Sequence, residues 1–353
     1  MIIAQVAPLY ESVPPALYGG TERVVSYLTE ALVEQGHRVT LFASGDSVTA
    51  AELVPIVPRA LRLDHGVVDQ LAHHITMIEQ VFKQADRFEV IHFHIDYLHY
   101  LATRRSRITQ LTTLHGRLDL PDLVPLYREF PEMPVVSISD AQREPLPWLN
   151  WLATVHHGLP ASLHRFQPGP GSYLAFIGRL SPEKRVDRAI EIAKRLGMPL
   201  KIAAKVSDTD RRYFHETIEP LLDHPLIEYL GEIDEAAKDD FLGNAIALLF
   251  PIHWPEPFGL AMIEALACGT PVVAYRHGSV PEVIDHGRTG FIVESLDDAL
   301  AAVERIGTID RRECRRAFEE RFTADRMARD YTAIYQRLLE SGACPQTPNY
   351  ANQ

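Results

Sequence analysis

A chain of 353 residues is too long for one hydrophobic core, so its length predicts two domains of roughly 150 residues each. The net charge of −12 at pH 7 argues against nucleic acid or an anionic membrane as the main partner, because both select clustered Lys and Arg. No stretch approaches the roughly 20 apolar residues of a membrane span, and the amino terminus MIIAQVAPLY lacks the pattern of a secretion signal. We therefore expect a cytoplasmic protein.

Apolar runs of strand length alternate with helical patterns in the first half of the chain, which is typical of parallel sheets covered by helices. The predicted strands are IIAQVAP, RVTLFAS, EVIHFHI, TQLTTLH, PVVSIS and ATVHHG, and the predicted helices are TERVVSYLTEALVEQG and DQLAHHITMIEQVFKQA. The stretch RFQPGPGS at 165–172 concentrates Pro and Gly without an apolar period. It predicts a linker.

The alternation restarts after this linker. The predicted strands are YLAFIG, LKIAAKV, IEYLG, AIALLFP, PVVAY and GFIV, and the predicted helices are EKRVDRAIEIAKRLG, TDRRYFHETIEPLLD, EAAKDDFLGN, one starting near Phe258 and a short one at PEVIDH. This pattern predicts an α/β fold of two Rossmann-like, doubly wound domains, 1–165 and 166–323, facing across a cleft. A helix and tail at 324–353 are expected to cross back to the first domain. Open parallel sheets bind ligands beyond the carboxyl ends of their strands, so the cleft is the expected site.

The loop after YLAFIG carries two cations at the expected start of a helix. Ser181 is a possible cap and Pro182 suits the first helical position, which leaves Arg179 and Lys184 beside the helix amino end. Cations there oppose the helix dipole at about 0.3–1 kcal/mol each unless an anion lies between them. The pattern fits a bound pyrophosphate and equally fits two solvent-exposed charges in a turn.

The loop after the first strand offers a second place for an anion. In YESVPPALYGGTERVV, Gly19 and Gly20 let a ligand approach the backbone closely, and Thr21 is the expected helix cap. This loop is longer than the GxGxxG fingerprint of dinucleotide-binding proteins and contains two prolines. It therefore argues against a dehydrogenase.

Two glutamates stand out in HWPEPFGLAMIEALACGTPVVAY at 253–275. Glu264 falls on a small, apolar helix face, where an unpaired carboxylate costs several kcal/mol. Ligand hydroxyls or an internal salt bridge are equally good explanations for it. Prolines on both sides of Glu256 hold that carboxylate at the expected mouth of the cleft. The amides of Phe258, Gly259 and Leu260 are expected to point outward at the helix amino end.

Several of these segments, in this order, resemble one family. EPFGLAMIEALACGTPVVA is similar to the E-x7-E motif of the retaining glycosyltransferases of family 4, which have the GT-B fold. GRLSPEKRVD resembles the phosphate-binding loop of that family, GGTERVV its first glycine loop, TLHG its histidine loop and HGSVPEVIDHGRTGFIV its closing segment. The resemblance spans about residues 1–340. It departs at HHGLP, where His157 and Pro160 replace Asn and Asp of the family pattern, and at Gly278-Ser279, which replaces Gly-Gly.

The resemblance implies transfer of a hexose, with glucose and UDP-glucose preferred, from a nucleoside diphosphate sugar to a small-molecule or glycan acceptor with retention of configuration. It implies that Glu264 holds the ribose and Glu256 the donor sugar, that Arg179 and Lys184 clamp the pyrophosphate, and that His115 lies beside the transferred sugar. Further donor-site residues would be Gly19, Gly20, Phe258, Gly259, Leu260 and Val206. Tyr18, Tyr97 and His94 are candidates for the acceptor pocket, although aromatic residues at strand ends also serve as core packing.

No cofactor or metal is expected. DTD at 208–210 matches the DxD metal motif of another glycosyltransferase fold, but it opens a helix here, where Asp is a good cap. Cys268, Cys314 and Cys344 lack metal-ligand spacing and predict reduced thiols. The alternatives left open are a GDP-mannose-dependent mannosyltransferase, an epimerase or phosphorylase on the same scaffold, and a non-catalytic nucleotide-sugar-binding protein.

Overall fold

The computed structural model describes residues 1–341 and divides them into two compact units. The first unit is Met1–Pro160 together with the helix that begins at Ala324, and the second is Ala161–Thr323. Each unit is built on one parallel sheet, with helices in most of the connections between successive strands. This confirms the predicted α/β fold with two Rossmann-like sheets.

The first unit contains a seven-stranded parallel sheet in the order β3-β2-β1-β4-β5-β6-β7. Its strands are β1 Ile2–Val6, β2 Arg38–Ser44, β3 Glu52–Val57, β4 Val90–Phe93, β5 Gln110–Thr113, β6 Val135–Ser137 and β7 Trp151–Thr154. Its helices are α1 Gly20–Glu34, α2 Gln70–Phe82, α3 Tyr100–Thr103, α4 Leu123–Glu129 and α5 Asp140–Arg143. The central strands are buried along their length, as expected for a parallel sheet covered on both faces.

The second unit contains a six-stranded parallel sheet in the order β10-β9-β8-β11-β12-β13. Its strands are β8 Tyr173–Arg179, β9 Leu200–Lys205, β10 Ile227–Gly231, β11 Ala245–Phe250, β12 Val272–Tyr275 and β13 Gly290–Val293. Its helices are α6 Val186–Leu196, α7 Arg211–Tyr213, α8 Glu219–Leu222, α9 Glu235–Gly243, α10 Leu260–Cys268, α11 Val280–Val283, α12 Leu296–Glu304 and α13 Arg311–Arg321. The last described helix, α14 Ala324–Ser341, belongs to the first unit.

Several predicted elements are corrected. Strand β3 was not predicted, because this edge strand contains Pro55 and no clear alternation of apolar residues. The helix expected at 183–197 is broken: a 3-10 turn covers Pro182–Lys184, Arg185 is left-handed at φ 54°, and α6 follows. The helix expected at 209–223 consists of short segments, with a π-helical turn at Phe214–Ile218 between α7 and α8.

The predicted linker at 165–172 is packed onto the second unit. The Gln167 amide donates to the Cys268 carbonyl (3.0 Å), and the Arg311 guanidinium donates to the Gln167 carbonyl (2.8 Å). The Phe166 ring lies so close to Gly269 that a Cβ there would come within 2.6 Å of it. Proline and glycine content therefore marked an irregular segment correctly but did not show that it was packed.

Helix α14 packs within the first unit. The Gln35 side chain donates to the Asp325 carboxylate (2.9 Å), and Arg326 donates to the His156 carbonyl (2.6 Å). Tyr331 and Tyr335 of this helix are buried beside the sheet. Among residues 1–341, no helix has the length and apolar character needed to cross a bilayer.

Candidate functional site

The candidate groups of the second unit gather at the carboxyl edge of its sheet. Strands β8 and β11 are parallel neighbours, with Leu248 opposite Ala175. The segments that follow them, 180–184 and 251–259, therefore leave the sheet from the same edge. This adjacency brings together Lys184 and Glu256, which are far apart in the sequence.

The turn after β8 holds Arg179 and Lys184 through ion pairs. Arg179 pairs with Glu183 and, at 3.4 Å, with Asp210. Ser181 makes no capping hydrogen bond from its side chain, and the Pro182–Lys184 turn is 3-10 rather than α-helical, so the predicted serine cap is wrong. Asp210 of the DTD motif thus faces the Arg179 guanidinium, while Asp208 pairs with Arg211 at 2.8 Å.

Lys184 and Glu256 form a largely buried ion pair. The Lys184 ammonium donates to the Glu256 carboxylate, and their side chains are 18% and 11% exposed. Trp254 donates its indole N–H to the same carboxylate (2.9 Å) and presents its ring 5.0 Å from the ammonium. Trp254 was not among the predicted site residues, and its indole is a further contact of the Glu256 carboxylate.

Helix α10 begins at Leu260, two residues later than predicted. Its N-cap is Gly259, which is left-handed at φ 82° and offers no side chain to cap the first amides. Phe258 lies before the helix and is buried. An α-helix leaves its first amides without intrahelical partners, and the N-cap Gly259 has no side chain to bond them, so this amino end suits an anion.

Gly278 and Ser279 hold the segment that carries Glu256. Ser279 donates its hydroxyl to the Phe258 carbonyl (2.7 Å) and its amide to the Glu256 carbonyl (3.0 Å). A Cβ on Gly278, which is left-handed at φ 53°, would come within 2.3 Å of the Glu256 carbonyl oxygen. Ser279, the residue that departs from the family pattern, therefore holds this segment by two hydrogen bonds. The sequence did not reveal this role.

Glu264 is buried and paired within the protein. Its carboxylate accepts a hydrogen bond from the Lys238 ammonium of α9 at 2.7 Å, and the same ammonium lies 3.2 Å from Glu235. Of the two explanations that the sequence left open, the internal ion pair is present in this structure. Sequence inspection missed Lys238, because one lysine among several charged residues of α9 carries no signal of its partner.

A group of possible metal ligands surrounds the Lys238–Glu264 pair. The ligand atoms of His164, Asp239 and Cys268 lie within 4.8 Å of one another, and so do those of His164, Glu235 and Glu264. Burial raises the pKa of the Cys268 thiol to about 12, which keeps it protonated at neutral pH. The Lys238 ammonium already supplies a positive charge between Glu235 and Glu264.

Of the three cysteines, Cys268 and Cys314 are free and buried, while Cys344 lies outside the described residues.

The glycine loop of the first unit lies at the start of α1. The N-cap is Gly19 at φ 150° and the helix begins at Gly20, so the predicted cap at Thr21 is wrong. A Cβ on Gly19 would come within 2.8 Å of the Pro15 side chain, which explains the glycine. In the first turn, burial raises the pKa of the Glu22 carboxyl to about 7.

Four histidines meet at the carboxyl edge of the first sheet, and we call them the histidine cluster: His92, His94, His115 and His157. His94 Nδ1 lies 2.9 Å from His115 Nε2, and the His157 ring stacks on His115 with centroids 5.3 Å apart. Burial lowers the pKa of all four imidazoles, that of His115 to about 3. The cluster is therefore neutral at physiological pH.

The predicted acceptor residues divide into two groups. Tyr18 and Tyr97 expose 43% and 37% of their surface, while His94 is buried. Both ring nitrogens of His94 are engaged, one with His115 and the other with the Gln5 amide oxygen (2.7 Å). Direct contact of His94 with an acceptor does not fit this geometry, so we assign His94 a contact with His115 instead.

Val206, a predicted donor-site residue, directly follows β9 and is half-buried.

Comparison with known families agrees with this geometry. Residues 165–321 match the family model of glycosyl transferases group 1, and residues 18–157 match that of glycosyltransferase family 4. The two matches follow one another along the chain and correspond closely to the two sheets. They support a place for this chain among the glycosyltransferases of the GT-B type.

Individual relatives are similar over part or all of the chain. N-acetyl-alpha-D-glucosaminyl L-malate synthase of Bacillus anthracis is 33% identical over 119 residues, which cover 31% of this chain and 30% of that protein. The chain thus spans less than half the length of such curated relatives. AviGT4, a glycosyltransferase involved in avilamycin A biosynthesis, is 24% identical and covers 97% of this chain and 99% of its own, with a TM-score of 0.75. HepE of Anabaena, solved with UDP and glucose, is 17% identical with a TM-score of 0.72 and covers 96% and 100%. These structures establish that the chain has the GT-B fold.

Proposed function

We propose that this protein transfers a hexose from a nucleoside diphosphate sugar to a small-molecule or glycan acceptor, with retention of the anomeric configuration. The observation that carries the proposal is the Lys184–Glu256 pair just ahead of the amino end of α10, where the N-cap is a glycine. It places a cation, a carboxylate and helix amides at one edge of a parallel sheet. Such an edge is where doubly wound sheets bind nucleotides.

The chemistry requires stabilisation of a leaving diphosphate. Arg179, Lys184 and the first amides of α10 would bind it, and they act most strongly on the charge that develops as the sugar bond breaks. The acceptor would attack from the face that the diphosphate leaves, and a phosphate oxygen would take the acceptor proton. No protein nucleophile is required, so positioning supplies much of the remaining acceleration.

The carboxylates of Glu256 and Glu264 would bind the sugars on either side of the diphosphate. Glu256 would accept hydrogen bonds from hydroxyls of the donor sugar. Glu264 would accept from the ribose, which means that ribose hydroxyls share this carboxylate with Lys238. In the first unit, Gly19 and Gly20 would approach the phosphates and His115 would lie beside the transferred sugar. Tyr18 and Tyr97 would line the acceptor pocket, and no metal or cofactor would take part.

The donor is best identified by binding. We expect UDP to raise the melting temperature more than GDP or ADP, and we propose UDP-glucose as the donor, a choice supported by the UDP complexes of HepE. A larger shift with GDP would favour the mannosyltransferase alternative. Mass spectrometry of products from a small acceptor library would then identify the acceptor.

The turnover of variants tests whether Arg179 and Lys184 bind the leaving diphosphate, and we call these two residues the clamp. Arg179→Ala and Lys184→Ala should each lower kcat by about 100- to 1000-fold, the usual effect of removing one donor to a developing anion. The matched control is Arg195→Ala, since Arg195 forms an exposed pair with Glu191 on α6. Normal turnover in both clamp variants would remove these residues from the mechanism. The same assay distinguishes an epimerase. A transferase releases nucleoside diphosphate in proportion to the acceptor that is glycosylated, whereas an epimerase consumes no acceptor.

A further inference from the structure

A continuous chain of buried polar side chains leads from helix α14 to His115 within the first unit. The Gln5 amide nitrogen donates to the Tyr335 hydroxyl (3.2 Å), and the Gln5 amide oxygen accepts from His94 Nε2 (2.7 Å). His94 Nδ1 then meets His115 Nε2 at 2.9 Å. Gln5, His94 and Tyr335 are all buried, so no exchange with bulk water competes with these bonds.

The sheet register places these groups on one face. Gln5 of β1 is paired with His92 of β4, and His94 lies two residues further along, so their side chains project to the same side. Tyr335 approaches that side from α14 and contacts His92 Nδ1 at 2.8 Å. The chain of bonds is therefore a consequence of strand pairing and helix packing rather than of one local motif.

The hydrogen bonds have a direction because the Gln5 amide has distinct ends. Its oxygen can only accept, so His94 Nε2 must carry the proton. A neutral imidazole carries one proton, which makes His94 Nδ1 an acceptor and His115 Nε2 its donor. Neutral His115 then has an unprotonated Nδ1. That buried nitrogen has no hydrogen-bond partner among residues 1–341.

We propose that Gln5 and His94 are positioning residues that fix His115 in its Nε2-protonated tautomer, so that Nδ1 acts only as a hydrogen-bond acceptor. Nδ1 then requires a partner that donates, and a hydroxyl of the transferred sugar is such a group. An unpaired buried acceptor is unfavourable, which favours a sugar that fills this need over one that does not. The sugar contact rests on the proposed function, whereas the tautomer does not.

Nitrogen NMR of ¹⁵N-histidine-labelled protein tests the tautomer directly. His115→Gln assigns the signals of His115 by their loss. In the wild-type protein at pH 7 we expect a protonated Nε2 and an unprotonated Nδ1. A protonated Nδ1 would overturn the proposal, and this measurement needs no variant of the bonded chain.

Variants test the cause of the tautomer. Gln5→Leu and His94→Phe should each give a mixture of His115 tautomers. The matched control is Tyr331→Phe, because Tyr331 is a buried tyrosine of the same helix that bonds Thr113 (2.8 Å) rather than Gln5. An unchanged tautomer in both test variants, or an equal change in the control, would refute the positioning role.

Kinetics separate positioning from loss of structure. Gln5→Leu should raise KM for the donor sugar by about 3- to 10-fold, the effect of one neutral hydrogen bond, with kcat unchanged. Lower kcat at constant KM would indicate a smaller folded fraction and would contradict the proposal. If the expected tautomer is found but no donor is turned over, the proposed function fails while the positioning by Gln5 and His94 stands.

Discussion

Removal of the Lys238 charge is the most direct test of how the second unit holds Glu264. The Lys238 ammonium lies 2.7 Å from Glu264, and their side chains are only 12% and 5% exposed. Removing one partner of such a buried pair leaves an uncompensated charge and costs about 3–5 kcal/mol. The Lys238 ammonium also lies 3.2 Å from the Glu235 carboxylate. We therefore expect Lys238→Met to lower the free energy of unfolding of this unit by about 3 kcal/mol.

The assay is urea unfolding followed by the fluorescence of Trp254. The other two tryptophans, Trp148 and Trp151, are in the first unit. A Trp148→Phe/Trp151→Phe background therefore reports the second unit alone. The control is Lys201→Met, because Lys201 pairs with Glu228 at 3.1 Å where the side chains are 34% and 56% exposed. Such a surface pair contributes at most about 1 kcal/mol.

The double variant separates charge burial from packing. Adding Glu264→Gln to Lys238→Met removes the carboxylate that has lost its ammonium partner, so it should recover part of the lost stability and reveal a coupling of about 1–3 kcal/mol. The reasoning is refuted if Lys238→Met destabilises the unit no more than Lys201→Met does. It is also refuted if the two substitutions in the second unit are simply additive.

Three further predictions concern other parts of the molecule. Gly278→Ala should abolish turnover, measured as nucleoside diphosphate release, because its Cβ would clash with the Glu256 backbone; turnover near wild type would contradict this role. The histidine cluster binds fewer protons in the folded state than in the unfolded state below about pH 6.5, so stability should fall as the pH drops below that value, by up to about 1.4 kcal/mol per pH unit for each histidine. Glu22 and Asp96 act in the opposite direction, between their ordinary pKa values and about 7 and about 6 respectively, but they are two groups against four. Urea midpoints that rise towards pH 5 would be evidence against this balance. EDTA should leave turnover intact, and a loss that manganese restores would show a metal requirement.

The alternation of strands and helices could be predicted from the residues alone, because apolar period and turn residues are local properties. The sequence also located the segments around Arg179, Glu256 and Glu264, whose charges stand out against apolar or proline-rich neighbours. It misplaced the cap at Thr21 and the start of α10, since both helices begin after a glycine whose backbone conformation no residue type reveals in advance.

Which of these groups meet depends on how the strands and helices of each unit are arranged. Lys184 reaches Glu256 because β8 and β11 are neighbours in the sheet, and Lys238 reaches Glu264 because α9 packs against α10. Gln5 reaches His94 through the register of β1 and β4. Charge pairing and hydrogen bonding act over a few ångströms, so the partner of a buried polar side chain depends on strand order and helix packing rather than on its neighbours in the chain.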